Sequence, residues 1–108
     1  MRLTELQPEF LRRNGLKRFR RVKTIAEAEG VWFLCPKCFR TNAGEVGTHR
    51  VLCWSPIVPL TVDPGPGRWE LRGTSLEDLT LVAGSSSILL TGGCQWHGFI
   101  RNGEVTDA

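Results

Sequence analysis

Gly30-Val31-Trp32-Phe33-Leu34-Cys35-Pro36-Lys37-Cys38 is the stretch whose reading decides the fold. Val31–Leu34 is β-branched, aromatic and uninterrupted by polar residues, which suits a buried strand. It runs directly into a CxxC pair, Cys35 and Cys38. A second pair, CxxH, lies far along the chain at Cys94 and His97. Two residues between ligands let a tight turn aim both side chains at one ion, and two such turns complete a tetrahedron. Gly92-Gly93 before the second pair and Gly98 after it suit tight backbone there. The first reading is therefore a strand-rich fold tied together by zinc through Cys35, Cys38, Cys94 and His97.

Outward from this stretch, the rest of the chain agrees with a small fold. The chain has 108 residues and four cysteines. That length allows one domain, and a domain this small gains from a staple. The apolar share of 41% fits a globular chain rather than a disordered one. No apolar run approaches the ~18–20 residues needed to span a bilayer, so no membrane association is expected. MRLTELQPEF shows no apolar signal-peptide core, so the expected location is the cytoplasm. In a reducing compartment, four cysteines point to metal ligands before disulfides.

Charge is uneven. Residues 1–23 carry eight bases against two acids, net +6, and residues 24–108 carry six against nine, net −3. This divides the chain into a basic N-terminal segment, 1–23, and one metal-stabilised β-rich folding unit, 24–108. Arg18, Arg20 and Arg21 are candidate contacts to nucleic acid or to an acidic protein surface. Only Phe10 and Phe19 interleave with these bases, so the sequence offers little of the aromatic platform that single strands favour.

Local signals fill in the remaining elements. Pro8–Leu11 reads as a helical turn or, alternatively, Glu9–Arg13 as a short edge strand, and Phe19–Thr24 as strand or loop. Thr24-Ile25-Ala26-Glu27 has the capping-box pattern, so a one- to two-turn helix is expected to end at Gly30. Phe39–Gly47 reads as a polar loop. Thr48–Trp54, Arg68–Thr74 and Ser87–Leu90 read as strands, and the proline-rich Ser55–Gly67 as a turn-rich connection. Leu76, Leu79 and Leu81 anchor an irregular piece. Asn102-Gly103 between two short apolar pieces predicts a type I′ hairpin. The fold class is α+β and mainly β: a small single domain of short antiparallel strands with one short helix, zinc-ribbon-like metal knuckles and a C-terminal hairpin.

The ligand set leaves alternatives. Cys53 and His49 are each chemically able to replace one of the four ligands, although Cys53 also suits a buried apolar site. A closed Cys₃His sphere has no position for a water, which favours a structural metal. A zinc-dependent hydrolase or peptidase needs an open position and a base such as Glu45 or Glu104. HExxH is absent, and the deaminase pattern is not met. Cys94-Gln95-Trp96-His97-Gly98 matches half of a Rieske motif, whose [2Fe–2S] centre takes two Cys and two His; Lys37 stands where the other His belongs. Trp32, Trp54 and Trp69 are expected in the core. Trp96, between two ligands, is the candidate contact to a partner, expected to be a protein.

Gly30–Phe39, Gly47–Trp54, Pro64–Leu71 and Thr91–Val105 (GVWFLCPKCF, GTHRVLCW, PGPGRWEL and TGGCQWHGFIRNGEV) together resemble a family of small phage and bacterial proteins of unknown function. The resemblance spans roughly residues 8–106. It implies a metal-binding CxxC…CxxH core at Cys35, Cys38, Cys94 and His97, and a phage or prophage accessory role. Some members carry an ammonia-monooxygenase label. This chain lacks the membrane span and copper-type His cluster that such an activity would need.

Overall fold

The computed structural model describes residues 1–15, 18–65, 67–90 and 94–108. Leu16, Gly92 and Gly93, singled out by spacing or by turn chemistry, lie outside the described residues, as does Pro66.

Within the described residues the chain is α+β and mainly β, with antiparallel sheets and one α-helix. A 3₁₀ turn, Leu3–Leu6, is followed by β1 (Glu9–Arg13), β2 (Phe19–Val22) and β3 (Gly30–Leu34). Helix α1 (Pro36–Asn42) leads to β4 (Arg50–Trp54). Then come β5 (Glu70–Arg72), β6 (Thr80–Val82), β7 (Ile88–Leu89), β8 (His97–Arg101) and β9 (Glu104–Asp107). The sheets are ordered β2-β1-β3-β4, β5-β6 and β7-β8-β9.

The four-stranded sheet is buried on both faces near its centre, which explains why Val31–Leu34 shows no polar alternation. Phe10, Val31, Phe33, Val51 and Cys53 face the main core, where they meet Leu3, Leu6, Leu81, Ile88, Trp96 and Ile100. Leu11 and Trp54 face the other way, and Val58 from the proline-rich connection packs on them. Register sets these faces: Phe10 pairs with Val31, and Val31 with Cys53. Cys53 is thus a core residue.

The expected boundary at residue 23/24 runs through this sheet. Residues 1–23 supply β1 and β2 and bury Leu3, Leu6, Phe10 and Leu11. The first residues also clasp the C-terminal hairpin. Leu3 donates its N–H to the Gly103 carbonyl at 2.8 Å, and Val105 donates to the Met1 carbonyl at 2.8 Å. The basic stretch is an integral edge of the fold because its apolar residues recur on the inward faces of β1.

The helix is displaced from its predicted place. Half of the capping box at Thr24 forms: the Glu27 N–H lies 3.3 Å from the Thr24 hydroxyl, and the Glu27 carboxylate accepts from that hydroxyl at 2.9 Å. It closes only a turn. The Glu29 N–H goes to the Leu11 carbonyl at 2.7 Å, and Gly30 already belongs to β3, so strand pairing outcompetes helix propagation. The helix instead begins at Pro36, inside the CxxC. Proline at the first helical position loses no hydrogen bond and arrives with its φ already set. The Phe39 N–H donates to the Cys35 carbonyl at 2.9 Å, and Ala43 ends the helix in the left-handed region.

The Asn102-Gly103 hairpin forms as expected, with φ of 49° and 73° at its two central residues. On β8 the alternation sends Gly98 inward, beside the Trp96 indole and the Thr106 carbonyl. A Cβ at this position would collide with both. Gly98→Ala is expected to cost about 1–3 kcal/mol by overpacking, read as a lowered denaturation midpoint with unchanged slope.

One buried carboxylate ties β1 to the start of β3. Glu29, 7% exposed, accepts the Arg13 N–H at 2.8 Å and both Nε and Nη2 of its guanidinium at 3.1 Å. The Arg13 side chain, against the opposing cost of burial, holds the Glu29 carboxyl below its ordinary value of 4.5. A depressed carboxyl stabilises the fold above its unfolded pKa, and that stability is lost as pH falls through the folded one. Glu29→Gln is therefore expected to destabilise by about 1.5–3 kcal/mol at neutral pH. The gap to the native chain should narrow below about pH 4.5. A gap constant down to acid unfolding would show that the charge contributes nothing.

Candidate metal centre

Three separate segments converge at one end of the four-stranded sheet. Leu34 pairs with Arg50 at the end of the β3–β4 ladder. One step further along that register, the Cys35 N–H donates to the His49 carbonyl at 2.8 Å. The ladder thus sets Cys35 and His49 side by side. The first turn of α1 brings Cys38 round to the same side as Cys35. Cys94 arrives from the segment before β8, and Lys37 fastens it by donating to the Cys94 carbonyl at 2.7 Å.

The ligand atoms of Cys35, Cys38, His49 and Cys94 all lie within 4.8 Å of one another. Cys35 Sγ is 3.2 Å from Cys94 Sγ, and His49 Nε2 is 3.1 Å from the same sulfur. Thiolate sulfurs about 2.3 Å from a central ion stand about 3.8 Å apart at tetrahedral corners. The spacing therefore brackets that of a single four-coordinate ion, and this Cys₃His group could hold a metal. His49 Nδ1 lies 3.2 Å from the Arg50 carbonyl. A proton on Nδ1 would be donated there, which orients the ring and leaves Nε2 for a ligand.

Electrostatics differ across the three thiols. Burial pushes the Cys35 thiol up to about 12 and raises Cys38 as well. Burial also acts upward on Cys94, but hydrogen bonds from His49, Cys35, the Trp96 backbone and Cys38 outweigh it and bring that thiol down to about 6. His49, Cys35 and Cys38, which would face a bound ion as co-ligands, thus favour the thiolate form of Cys94. A metal supplies the positive charge needed to take the remaining protons off.

The sequence reading placed Cys35, Cys38 and Cys94 together, and so does the fold. His97 stands apart from the group, and His49 takes that place. The reason is the strand period. The CxxH reading assumed a turn through His97, but β8 begins there. Trp96, Gly98 and Ile100 point inward, while His97 opposes Leu89 on the exposed face. The signal for His49 was present in Gly47-Thr48-His49-Arg50-Val51, a histidine at the mouth of a strand that returns antiparallel to the one ending at Cys35. The other spare candidate, Cys53, is sealed in the core, where burial pushes its thiol up.

Trp96 is also relocated. It is 2% exposed, meets Phe33 edge-on at 6.2 Å, and donates its indole N–H to Asp107 at 3.0 Å. It braces the metal end of the core rather than offering a partner contact. Arg18, Arg20 and Arg21 are exposed on or beside β2.

The group matches neither alternative metal chemistry. A Rieske centre needs two Cys and two His, whereas three Cys and one His converge here. A groove of about 330 Å³ passes His49, Arg50, Trp69 and Leu90, but among its described lining residues there is no carboxylate to act as a base. Glu45 is engaged by Gln7, and Glu104 by Arg2 and the Met1 amine. Among the described residues, no helix is long and apolar enough to cross a membrane. No family model, curated protein or solved structure matches the chain.

Proposed function

We propose that this chain is a zinc-stabilised binding module, with Cys35, Cys38, His49 and Cys94 closing a structural Cys₃His site. The observation that carries this reading is the meeting of four donors, from three separate segments, within 4.8 Å. Three thiolates and an imidazole suit zinc over calcium or magnesium, which take oxygen ligands. Four protein ligands leave no position for a reacting water, so the ion's work is to hold β3, α1, β4 and the approach to β8 in one arrangement.

The test is metal content of the purified protein, followed by cobalt substitution. One zinc per chain, and cobalt absorption of a tetrahedral thiolate-rich site, are the expected results. A chain that purifies metal-free and takes up no cobalt would overturn the reading.

The resemblance of the four motif stretches to small phage and bacterial proteins supports an accessory role in a phage or prophage. The genes on either side test this part. Phage genes on both sides are expected, and a chromosomal operon without them would oppose it. Trp96 lies inside the fold and drops out as a partner contact, while the exposed Arg18, Arg20 and Arg21 support a polyanionic partner, either nucleic acid or an acidic protein surface.

A further inference from the structure

We propose that Cys35 and Cys94 are a redox site, joined by peroxide into a reversible disulfide that takes over the metal's tie; this rests on the zinc reading of the site. The observation that carries it is the meeting of two sulfurs from distant segments. Cys35 Sγ and Cys94 Sγ lie 3.2 Å apart, although the residues are 59 positions apart in sequence. Closing that gap to a bond of about 2.05 Å takes a shift of only about 1 Å. Contacts independent of the metal hold both sulfurs there. The Cys35 N–H is fixed to the His49 carbonyl at 2.8 Å. Lys37 holds the Cys94 carbonyl at 2.7 Å. Trp96 donates to Asp107, whose two carboxylate oxygens also accept from Arg40 Nη2 at 3.0 and 2.9 Å. Helix α1 thus clasps the approach to β8 and the end of β9, keeping Cys94 against Cys35.

Exposure assigns the steps. Cys94 is partly exposed, whereas Cys35 is buried. The Cys94 thiolate attacks hydrogen peroxide, the O–O bond breaks, hydroxide leaves, and Cys94 carries a sulfenic acid. The Cys35 thiolate then attacks the Cys94 sulfur. The S–S bond forms, the S–O bond breaks, and a second hydroxide leaves. Two electrons have passed from the two sulfurs to the peroxide oxygens. Cys38 and His49 remain, too few donors to hold a four-coordinate zinc. Cys53 is sealed in the core and takes no part. A dithiol reverses the link by thiol–disulfide exchange, which restores the ligand set. Both ties join the same two places, the end of β3 and the approach to β8. A cross-link closing so long a loop restrains the unfolded chain. Oxidation therefore exchanges one tie for another and keeps the fold closed.

The experiment treats the full zinc-loaded chain with hydrogen peroxide, after its zinc has been counted. A chromogenic chelator follows metal release, and peptide mass spectrometry maps the cross-links. Expected are complete zinc release, loss of two of the four thiols, and a peptide pair joined through Cys35 and Cys94. Dithiothreitol should restore the thiols and zinc binding. In chelator, the oxidised chain should melt at least about 8 °C above the reduced chain. Cys38→Ser removes a ligand but neither partner, and it should still link Cys35 to Cys94.

A link between Cys35 and Cys38 would overturn the proposal, because it lies within the first turn of α1 and joins nothing across the fold. So would sulfinic acid at Cys94 with no cross-link, or an oxidised chain that melts with the reduced, chelated one. The two readings fail separately. Zinc counted at the start but no link between Cys35 and Cys94 sinks this proposal and leaves the zinc site standing. A chain that holds no zinc at the start sinks the zinc reading, and the exchange of ties with it, whatever cross-link then forms.

Discussion

His49→Ala is expected to weaken metal binding by more than about 100-fold, whereas His97→Ala leaves it unchanged. Loss of an outer-shell partner alone costs about 10- to 100-fold, and removal of a direct ligand exceeds that. The two histidines are matched controls, since both are exposed, His97 begins β8 and His49 immediately precedes β4. They differ in geometry. His49 Nε2 sits 3.1 Å from Cys94 Sγ, while His97 opposes Leu89 across the β7–β8 pair. Competition against a chromophoric chelator reads the affinities directly. If His97→Ala releases the metal and His49→Ala does not, the ligand assignment is wrong and the CxxH spacing is right. Cys53→Ala belongs in the same series and is expected to keep full metal occupancy, since Cys53 lies in the core on β4.

Removing the metal is expected to cost most of the fold. An ion bound only by the folded chain, at a concentration 1,000 times its dissociation constant, stabilises by about 4 kcal/mol. Whole domains of this kind stand only about 5–15 kcal/mol above unfolding. A chelator such as EDTA should therefore lower the melting midpoint by at least about 15 °C, given about 4–8 °C per kcal/mol for a domain of this size. Cys35→Ser and Cys94→Ser should reproduce the loss without chelator. The effect is expected to be large because the ion ties the Cys94 segment, which leads into a different sheet, to the β3–α1–β4 end of the four-stranded sheet. Lys37 reaching the Cys94 carbonyl is one of the few side-chain links between α1 and that segment. A chain that gives up its metal and melts at the same temperature would refute a structural role.

The strands and the metal ligands were legible to different depths in the sequence. Val31–Leu34 and the Asn102-Gly103 hairpin were readable because their signals are local: an apolar run of strand length, and a turn dipeptide that tolerates positive φ. The thiol ligands were readable because CxxC spacing is also local. His49 was not, because it becomes a neighbour of Cys35 only through the β3–β4 register, and register is a property of two strands. The missed helix at Pro36–Asn42 follows the same logic. Thr24–Glu27 has better helix-start chemistry than Cys35–Cys38 does, but, two residues on, the Glu29 N–H is claimed by the Leu11 carbonyl from β1. β1 and β2 were masked by their charge, since Arg12, Arg13, Arg20 and Arg21, which mark an apparent basic arm, are themselves strand residues.

The ligand order along the chain also has a consequence for synthesis. Cys35, Cys38 and His49 emerge from the ribosome within a stretch of 15 residues, and Cys94 follows 45 residues after His49. At about 5–20 residues per second that interval is about 2–9 seconds. For that time the nascent chain displays two thiols and an imidazole around a vacant corner. Whichever ion or oxidant reaches them first does so before the last thiolate can enforce four-coordination. On the zinc reading proposed above, the supply of free metal during those seconds would bear on maturation as much as the finished site's selectivity does.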